Sequence, residues 1–305
     1  MLVYSHEDCS KHVTPPGHPE RAERLAAVER GLEGIAVERR EAPLAEAVEV
    51  LRCHPQSHLD RVMRAIPAKG WAQMDGDTWL SPGSLNAALR SVGGICAAVD
   101  AVVAGQAKTA FVAGRPPGHH AETETAMGFC LFGTVAIAAK RALDHHGLSR
   151  IAVLDFDVHH GNGTQDLLWD EARVRFVSSH QMPLYPGSGA PAEKGAHGQI
   201  TNLPLRAGSG GADMRRAWGP VLDDLRLWRP DLVLVSAGFD AHRDDPLAGL
   251  TWETDDYRWI TAAVCDLAEA TCAGRVVSAL EGGYDLDALA TSVAAHVGVL
   301  EERGR

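Results

Sequence analysis

Asp155, Asp157 and His159 stand two residues apart at the end of an apolar run over 151–154. Residues two apart in extended chain point to the same face, so this spacing aims two carboxylates and an imidazole at one point beyond a strand. Carboxylate oxygens and an imidazole nitrogen, joined by a ligand from elsewhere, form a divalent-metal site with an open position. A lone D-x-D after a strand is equally a solvated acidic turn. Here His159, His160, Gly161, Asn162 and Gly163 follow, and two histidines beside two permissive glycines are unusual in an ordinary turn.

The elements that would position these groups follow one pattern. Five short apolar runs pass into polar or glycine-rich sequence. Residues 110–113 lead into Arg115-Pro116-Pro117-Gly118-His119-His120, and 151–154 lead into the stretch above. Residues 174–177 lead into Ser178-Ser179-His180 and a turn-rich segment from Tyr185 to Gly189. Residues 232–235 lead into Ser236-Ala237-Gly238-Phe239-Asp240, and 276–280 into Glu281-Gly282-Gly283-Tyr284. Helical segments at 135–143, 214–228, 255–273 and 286–300 lie between them. Strands alternating with helices predict a parallel sheet covered on both faces. Ligands of such sheets bind beyond the carboxyl ends of the strands, so all five polar clusters belong on one sheet edge.

The first hundred residues carry weaker patterns. Residues 2–4 read as a short strand, and Pro19 as the start of a helix with Leu25, Val28 and Leu32 inward. A second helix is expected at 44–51. The polar stretch 67–82, with Asp75, Asp77 and Trp79, reads as a long loop of the functional kind. Ser84 reads as the N-cap of a long helix with Leu85, Leu89, Val92, Cys96 and Val99 on its inner face. The glycine-rich piece 207–211 lacks the Gly-Lys-Ser/Thr of a phosphate loop.

Composition sets the outer bounds. The chain has 305 residues, 45% hydrophobic and 23% charged, an ordinary globular mix with no linker, so one domain over 1–305 is expected. A net charge of -11 excludes a basic nucleic-acid footprint, so no nucleic-acid partner is expected. Six cysteines without a C-x-x-C pair read as buried free thiols in a reducing compartment. No run reaches membrane-span length and residues 1–20 lack a signal-type apolar core. A cytoplasmic protein with no membrane partner is the expectation.

The blocks Arg115–His120, Asp155–Thr164, Gly238–Asp240 and Glu281–Tyr284 resemble the signature blocks of the histone deacetylase family. They resemble most its class II-type branch, which includes bacterial histone-deacetylase-like amidohydrolases and acetylpolyamine amidohydrolases. The resemblance runs from His18-Pro19-Glu20-Arg21 to the last helix. It implies the arginase/deacetylase fold, a three-layer α/β/α domain around a mostly parallel sheet of about eight strands. It also implies zinc-dependent removal of acetyl or another small acyl group from an N-acylated lysine side chain or related amine. Acetylpolyamine hydrolysis is the alternative, and a ureohydrolase or a non-catalytic acyl-lysine binder stands further off.

Residue by residue, the resemblance makes Asp157, His159 and Asp240 the zinc ligands, with Fe²⁺ the alternative ion for an oxygen-rich set. Tyr284 becomes the oxyanion donor, its phenol pKa of about 10 keeping it protonated at neutral pH. His119 pairs with Asp155. His120, partnered by Asn162, becomes general base and then general acid; a neutral amide supports imidazolium less than a carboxylate would, so His120 is expected to be the more readily neutral. His160 is expected to face away from His159 in a supporting role. Asp155, Asp157, His159, Ser178 and Ser179 resemble a potassium site, and Leu168, Glu171 and Val174 a second one. Gly128, Phe129, Tyr185 and Leu247 match the walls of a substrate tunnel, with Leu247 standing where one polyamine-selective relative has an acidic gate. Asp77 or Asp75 matches a rim carboxylate, and Arg21 an arginine at the foot of the site. The substrate would be a small-molecule or peptide acyl-amine, and homo-oligomerisation is left open.

Overall fold

The computed structural model describes residues 1–305. Ten strands form in chain order: β1 (Leu2–Ser5), β2 (Glu38–Glu41), β3 (Ala72–Gln73), β4 (Trp79–Leu80), β5 (Thr109–Val112), β6 (Ile151–Asp155), β7 (Val174–Gln181), β8 (Ile200–Leu205), β9 (Leu232–Ala237) and β10 (Val276–Leu280). Nine α-helices accompany them: α1 (Glu23–Leu32), α2 (Ala47–Val50), α3 (Gln56–Ala65), α4 (Ser84–Val103), α5 (Thr134–Asp144), α6 (Asn162–Leu167), α7 (Gly211–Trp228), α8 (Thr254–Cys272) and α9 (Leu286–Gly304). Eight strands make one sheet in the order β2-β1-β5-β10-β9-β6-β7-β8. Every neighbouring pair in it is parallel. The short β3 and β4 pair antiparallel outside it.

Alternation along the strands divides the core into two layers, because successive side chains point to opposite faces. Val3, Phe111, Ala152, Leu154, Val233 and Val235 face one layer, packed against α1, α7, α8 and α9. Leu2, Tyr4, Ala110, Val112, Ile151, Val153, Leu232 and Leu234 face the other, packed against α4 and α5. The result is the α/β/α sandwich expected. The five strands expected to carry polar ends, β5, β10, β9, β6 and β7, are contiguous in the sheet, which brings their carboxyl ends together.

Several local expectations need correction. Residues 19–22 are not helical, and α1 begins at Glu23. The Glu20 carbonyl accepts from Thr14 Oγ1 at 2.7 Å and the Glu20 side chain is buried among Arg24, Arg115 and His12, which holds that segment in a turn. The helix placed at 44–51 is the single turn α2, with Leu44 and Leu51 exposed. The loop 67–82 contains the β3–β4 hairpin. Gly83, not Ser84, is the residue preceding α4; the Ser84 hydroxyl instead accepts from Ser81 N at 2.7 Å and meets His12 Nδ1 at 2.7 Å. Val92, Cys96 and Val99 are buried on α4 as expected, whereas Leu85 and Leu89 are half-buried against a smaller cluster. The run at 174–177 continues to Gln181, so Ser178, Ser179 and His180 lie within β7.

Candidate metal centre and active site

The sheet register sets the first ligands. Asp155 closes β6, opposite Ser178 of β7 and Ser236 of β9. The chain then turns so that Asp155 Oδ1 accepts from Asp157 N at 3.1 Å and Asp157 Oδ1 from His159 N at 2.9 Å. Asp240, just beyond β9, accepts from Val158 N at 2.9 Å through Oδ1, which leaves Oδ2 free to face inward. His159 Nδ1 lies 3.2 Å from Asp157 Oδ1 and 3.1 Å from Asp240 Oδ2. One ligand atom from each of the three residues falls within 4.8 Å of the others, and all three residues are buried.

This donor set fits a divalent cation. Two buried carboxylates converging on one imidazole nitrogen create negative charge that needs a compensating cation. Burial opposes charge on His159, yet its hydrogen bonds to the accepting Asp157 and Asp240 carboxylates outweigh it and raise its pKa to about 10. Burial and the Asp157 charge push Asp240 up to about 7. The backbone comes close on purpose: a Cβ at Gly282 would lie 2.1 Å from Asp240 Oδ2, and one at Gly238 2.1 Å from Asp157 Oδ2. Gly282 N also donates to Asp157 Oδ2 at 2.8 Å.

The two tandem histidines differ. His119 Nδ1 meets Asp155 Oδ2 at 3.0 Å, and its Nε2 is 3.8 Å from Asp157 Oδ1. Burial disfavours its charged form, but the Asp157 and Asp155 carboxylates win and hold it well above the usual imidazole range. His120 Nδ1 meets Asn162 Oδ1 at 2.7 Å. Burial, reinforced by His119 and His159, holds it well below that range. His120 is thus the more readily neutral of the two, through burial and its neighbouring imidazoles, whereas the Asn162 contact acts in the opposite direction. Their ring centroids are 4.0 Å apart, so one charged imidazole discourages charge on the other.

A cavity of about 240 Å³ opens onto these groups, lined by Pro19, Asp77, His120, Gly128, Phe129, His159, Leu184, Tyr185, Leu247 and Tyr284. All five residues expected to contact substrate therefore line it. Tyr185 stands edge-on to His120, with ring centroids 5.2 Å apart, and Phe129 edge-on to Tyr284 at 5.8 Å. Gly128 holds φ +55°, and a Cβ there would strike His120 Cδ2 at 2.4 Å, so this wall tolerates no side chain. Of the two rim candidates, Asp75 is consumed locally, its Oδ1 accepting from Asp77 N and Thr78 N at 3.1 and 2.6 Å. Asp77 is the one that faces the cavity. Burial keeps the Tyr284 hydroxyl protonated by pushing its pKa well above the ordinary phenol value.

Three supporting residues escaped the sequence reading. The expected foot arginine, Arg21, is exposed. The buried one is Arg24, one helical turn on, which donates through Nε to Gly283 O at 2.7 Å and through Nη2 to Glu281 O, with its guanidinium carbon 5.0 Å from the Tyr284 ring centroid. Asp245 pins the tyrosine loop, accepting from Tyr284 N at 2.7 Å and from Leu247 N at 3.0 Å. Glu281 Oε2 accepts from Gly118 N and His119 N at 2.7 and 3.1 Å. Arg24 stands four residues before the buried Val28, on the inward face of α1; the other two have no signal in spacing. His160 faces away from His159, toward Ser188 Oγ at 2.8 Å and Gln165 Oε1 at 3.1 Å. Ser178 Oγ meets His180 Nδ1 at 3.0 Å, while the buried Ser179 hydroxyl has no protein partner. Asp100, His145 and His146 also gather within ligand distance, but Arg141 holds both Asp100 oxygens at 2.8 Å, which makes that group an ion-pair network.

The chain is a parallel α/β/α sandwich that gathers an Asp-His-Asp cluster, paired histidines and a tyrosine at its strand ends. This chain belongs to the histone deacetylase family: residues 18–300 match the histone deacetylase domain. It is 40% identical over 285 residues to the histone deacetylase-like amidohydrolase of Pseudomonas aeruginosa, covering 89% of this chain and 74% of that protein. It is 37% identical over 295 residues to a probable deacetylase of Archaeoglobus fulgidus, covering 93% of this chain and 81% of that protein. The crystal structure of the HDA15 HD domain superposes with a TM-score of 0.92 at 32% identity, covering 98% of this chain and 90% of that one.

Proposed function

We propose that this chain is a metal-dependent amidohydrolase that removes acetyl or another small acyl group from an N-acylated lysine side chain or a related linear amine. The observation that carries this reading is the meeting of the Asp157-His159-Asp240 donor set with His120 and Tyr284 along one ring-walled cavity. Zn²⁺, or Fe²⁺, held by those three residues would supply Lewis acidity to the acyl carbonyl and make water a nucleophile near neutral pH. His120, kept neutral, takes the proton of the attacking water on the ring nitrogen turned away from Asn162, and later gives a proton to the leaving amine. Tyr284 donates its hydroxyl to the oxygen that gains negative charge. His119, held charged by Asp155 and Asp157, adds positive potential beside that oxygen. The rings of Phe129 and Tyr185, with Leu184 and Leu247, suit an aliphatic stem. A potassium ion on Asp155, Asp157, His159, Ser178 and Ser179 would brace the loop after β6.

A polyamine substrate is the second reading, favoured by the Asp77 carboxylate at the cavity rim and disfavoured by the apolar Leu247. The experiment is turnover of zinc-loaded protein on acetyl-lysine peptides beside acetylated putrescine and spermidine. Release of acetate from either set supports amide hydrolysis, and the ratio assigns the substrate class. A folded, zinc-loaded protein inert toward all of them refutes the reading. Two Mn²⁺ per chain would refute it in favour of a ureohydrolase.

A further inference from the structure

Asn162 touches His120 on one side and a carboxylate, Glu122, on the other. Asn162 Nδ2 donates to Glu122 Oε1 at 2.8 Å; the other group near Nδ2 is Met127 Sδ at 3.4 Å, a weak acceptor. An amide has one donor end and one acceptor end, whereas a carboxylate only accepts. Glu122 thus draws the NH₂ end of Asn162 toward itself and turns the carbonyl end toward His120. An acceptor 2.7 Å from His120 Nδ1 places the imidazole proton on Nδ1 and leaves the lone pair on Nε2. The opposite amide orientation would offer N–H to Nδ1 and move the ring proton to Nε2, where a base must be bare.

Both ends of this chain of contacts sit on one braced junction. The Glu122 backbone exchanges hydrogen bonds with Thr125 at 3.0 and 3.3 Å. Thr123 N and Oγ1 both donate to Asp166 Oδ2 of α6, at 2.8 and 2.6 Å. Thr164 N donates to His119 O at 3.0 Å, and a Cβ at Gly163 would lie 2.3 Å from Ala121 O. The segment carrying His120 and Glu122 and the helix start carrying Asn162 therefore cannot drift apart independently.

We propose that Glu122 is a positioning residue: by fixing which end of the Asn162 amide faces His120, it sets the tautomer of His120. This rests on the proposed role of His120 in proton transfer. Three variants separate the possibilities. Glu122→Lys presents only donors and should reverse the amide. Adding Asn162→Asp to it restores an acceptor toward both neighbours. Glu122→Gln keeps an acceptor available.

Two readouts are taken at pH 8 on variants with wild-type circular dichroism. The first is the imidazole ¹⁵N spectrum of histidine-labelled protein without added metal, with the His120 signals assigned by their loss in His120→Asn. The second is turnover of the zinc-loaded protein. The wild type and Glu122→Gln should show the Nδ1–H tautomer, with turnover of the latter within about tenfold of wild type. Glu122→Lys should shift His120 toward Nε2–H and lose on the order of 100-fold or more in turnover. The double variant should regain Nδ1–H and most of the lost rate. His120 remaining Nδ1–H in Glu122→Lys, or a double variant no better than the single one, overturns the proposal. Wild-type protein with the Nδ1–H tautomer that hydrolyses no acyl amide would instead sink the functional reading and leave the tautomer assignment standing.

Discussion

Gly282 sits where two of the three proposed ligands meet, and Gly282→Ala should uncouple them from a metal ion. A methyl group there would lie 2.1 Å from Asp240 Oδ2 and 2.6 Å from Asp157 Oδ2, against 3.4 Å or more for ordinary contact. The carboxylates or the loop must therefore retreat by about an ångström, while a competent metal site keeps its ligand distances within about ±0.2 Å. Two ligands are displaced by several times that tolerance, and the 2.8 Å hydrogen bond from Gly282 N to Asp157 Oδ2 is misaligned as well. Loss of an outer-shell contact alone costs roughly 10- to 100-fold in metal affinity, so a weakening of at least about 100-fold is expected. Competition for Zn²⁺ against a chromophoric chelator measures it, on protein shown by circular dichroism to be folded. Gly219→Ala, at a helical position where a Cβ meets nothing within 4 Å, serves as the control. A folded Gly282→Ala protein with wild-type zinc affinity would refute the geometry on which the site is built.

Tyr284→Phe should lower kcat by on the order of 10²- to 10³-fold with zinc content unchanged; near-full activity would remove the tyrosine from the oxyanion role. Asp77→Asn should raise KM for a cationic acyl-amine while changing kcat by less than about threefold, and equal effects on a neutral acyl amide would argue against a charge-recognising rim. Burial pushes His54 and His180 down to about 4 and His160 and His296 down to about 3. Each of these four imidazoles binds a proton in the unfolded chain but not in the folded one between about pH 3 and 6.5, so their contribution to stability rises with pH across that window, while Asp240 and Glu281, both pushed up to about 7 by burial, act in the opposite sense. The contribution is fully present above about pH 6.5 and is lost as pH falls toward 3. Replacing His296 by Asn should accordingly make the change in thermal midpoint between pH 7.5 and pH 5 less destabilising than in the wild type, and an identical pH dependence would contradict it.

The carboxyl ends of the central strands were legible because buried parallel strands read as apolar runs, and each ran directly into a chemically distinctive block. The edge strands were not. β2 is Glu-Arg-Arg-Glu, largely exposed, a charged edge that resists pairing with other chains and carries no apolar signal. β8 contains Pro204, which is tolerated at an edge but argues against a strand when read from sequence. Arg21 belongs to the His18-Pro19-Glu20-Arg21 motif but lies before α1 and is exposed, whereas Arg24, in the first turn of α1, is the buried arginine. Asp75 and Asp77 could not be separated by spacing, since only the turn hydrogen bonds at Asp75 Oδ1 show which carboxylate is spent. Asp245 also holds Tyr284 N, and Glu281 holds Gly118 N and His119 N, each more than thirty residues away, and no local pattern records such contacts.

The proposed chemistry requires one divalent ion gripped by three protein side chains from two separate strand ends. Anomalous diffraction at the zinc edge from zinc-loaded crystals would locate that ion. One peak per chain is expected, with His159 nitrogen and Asp157 and Asp240 oxygens at about 2.0–2.2 Å and His120 and Tyr284 lining the open side. Two peaks at the strand ends, or a single peak that lacks any of those three ligands, would contradict it.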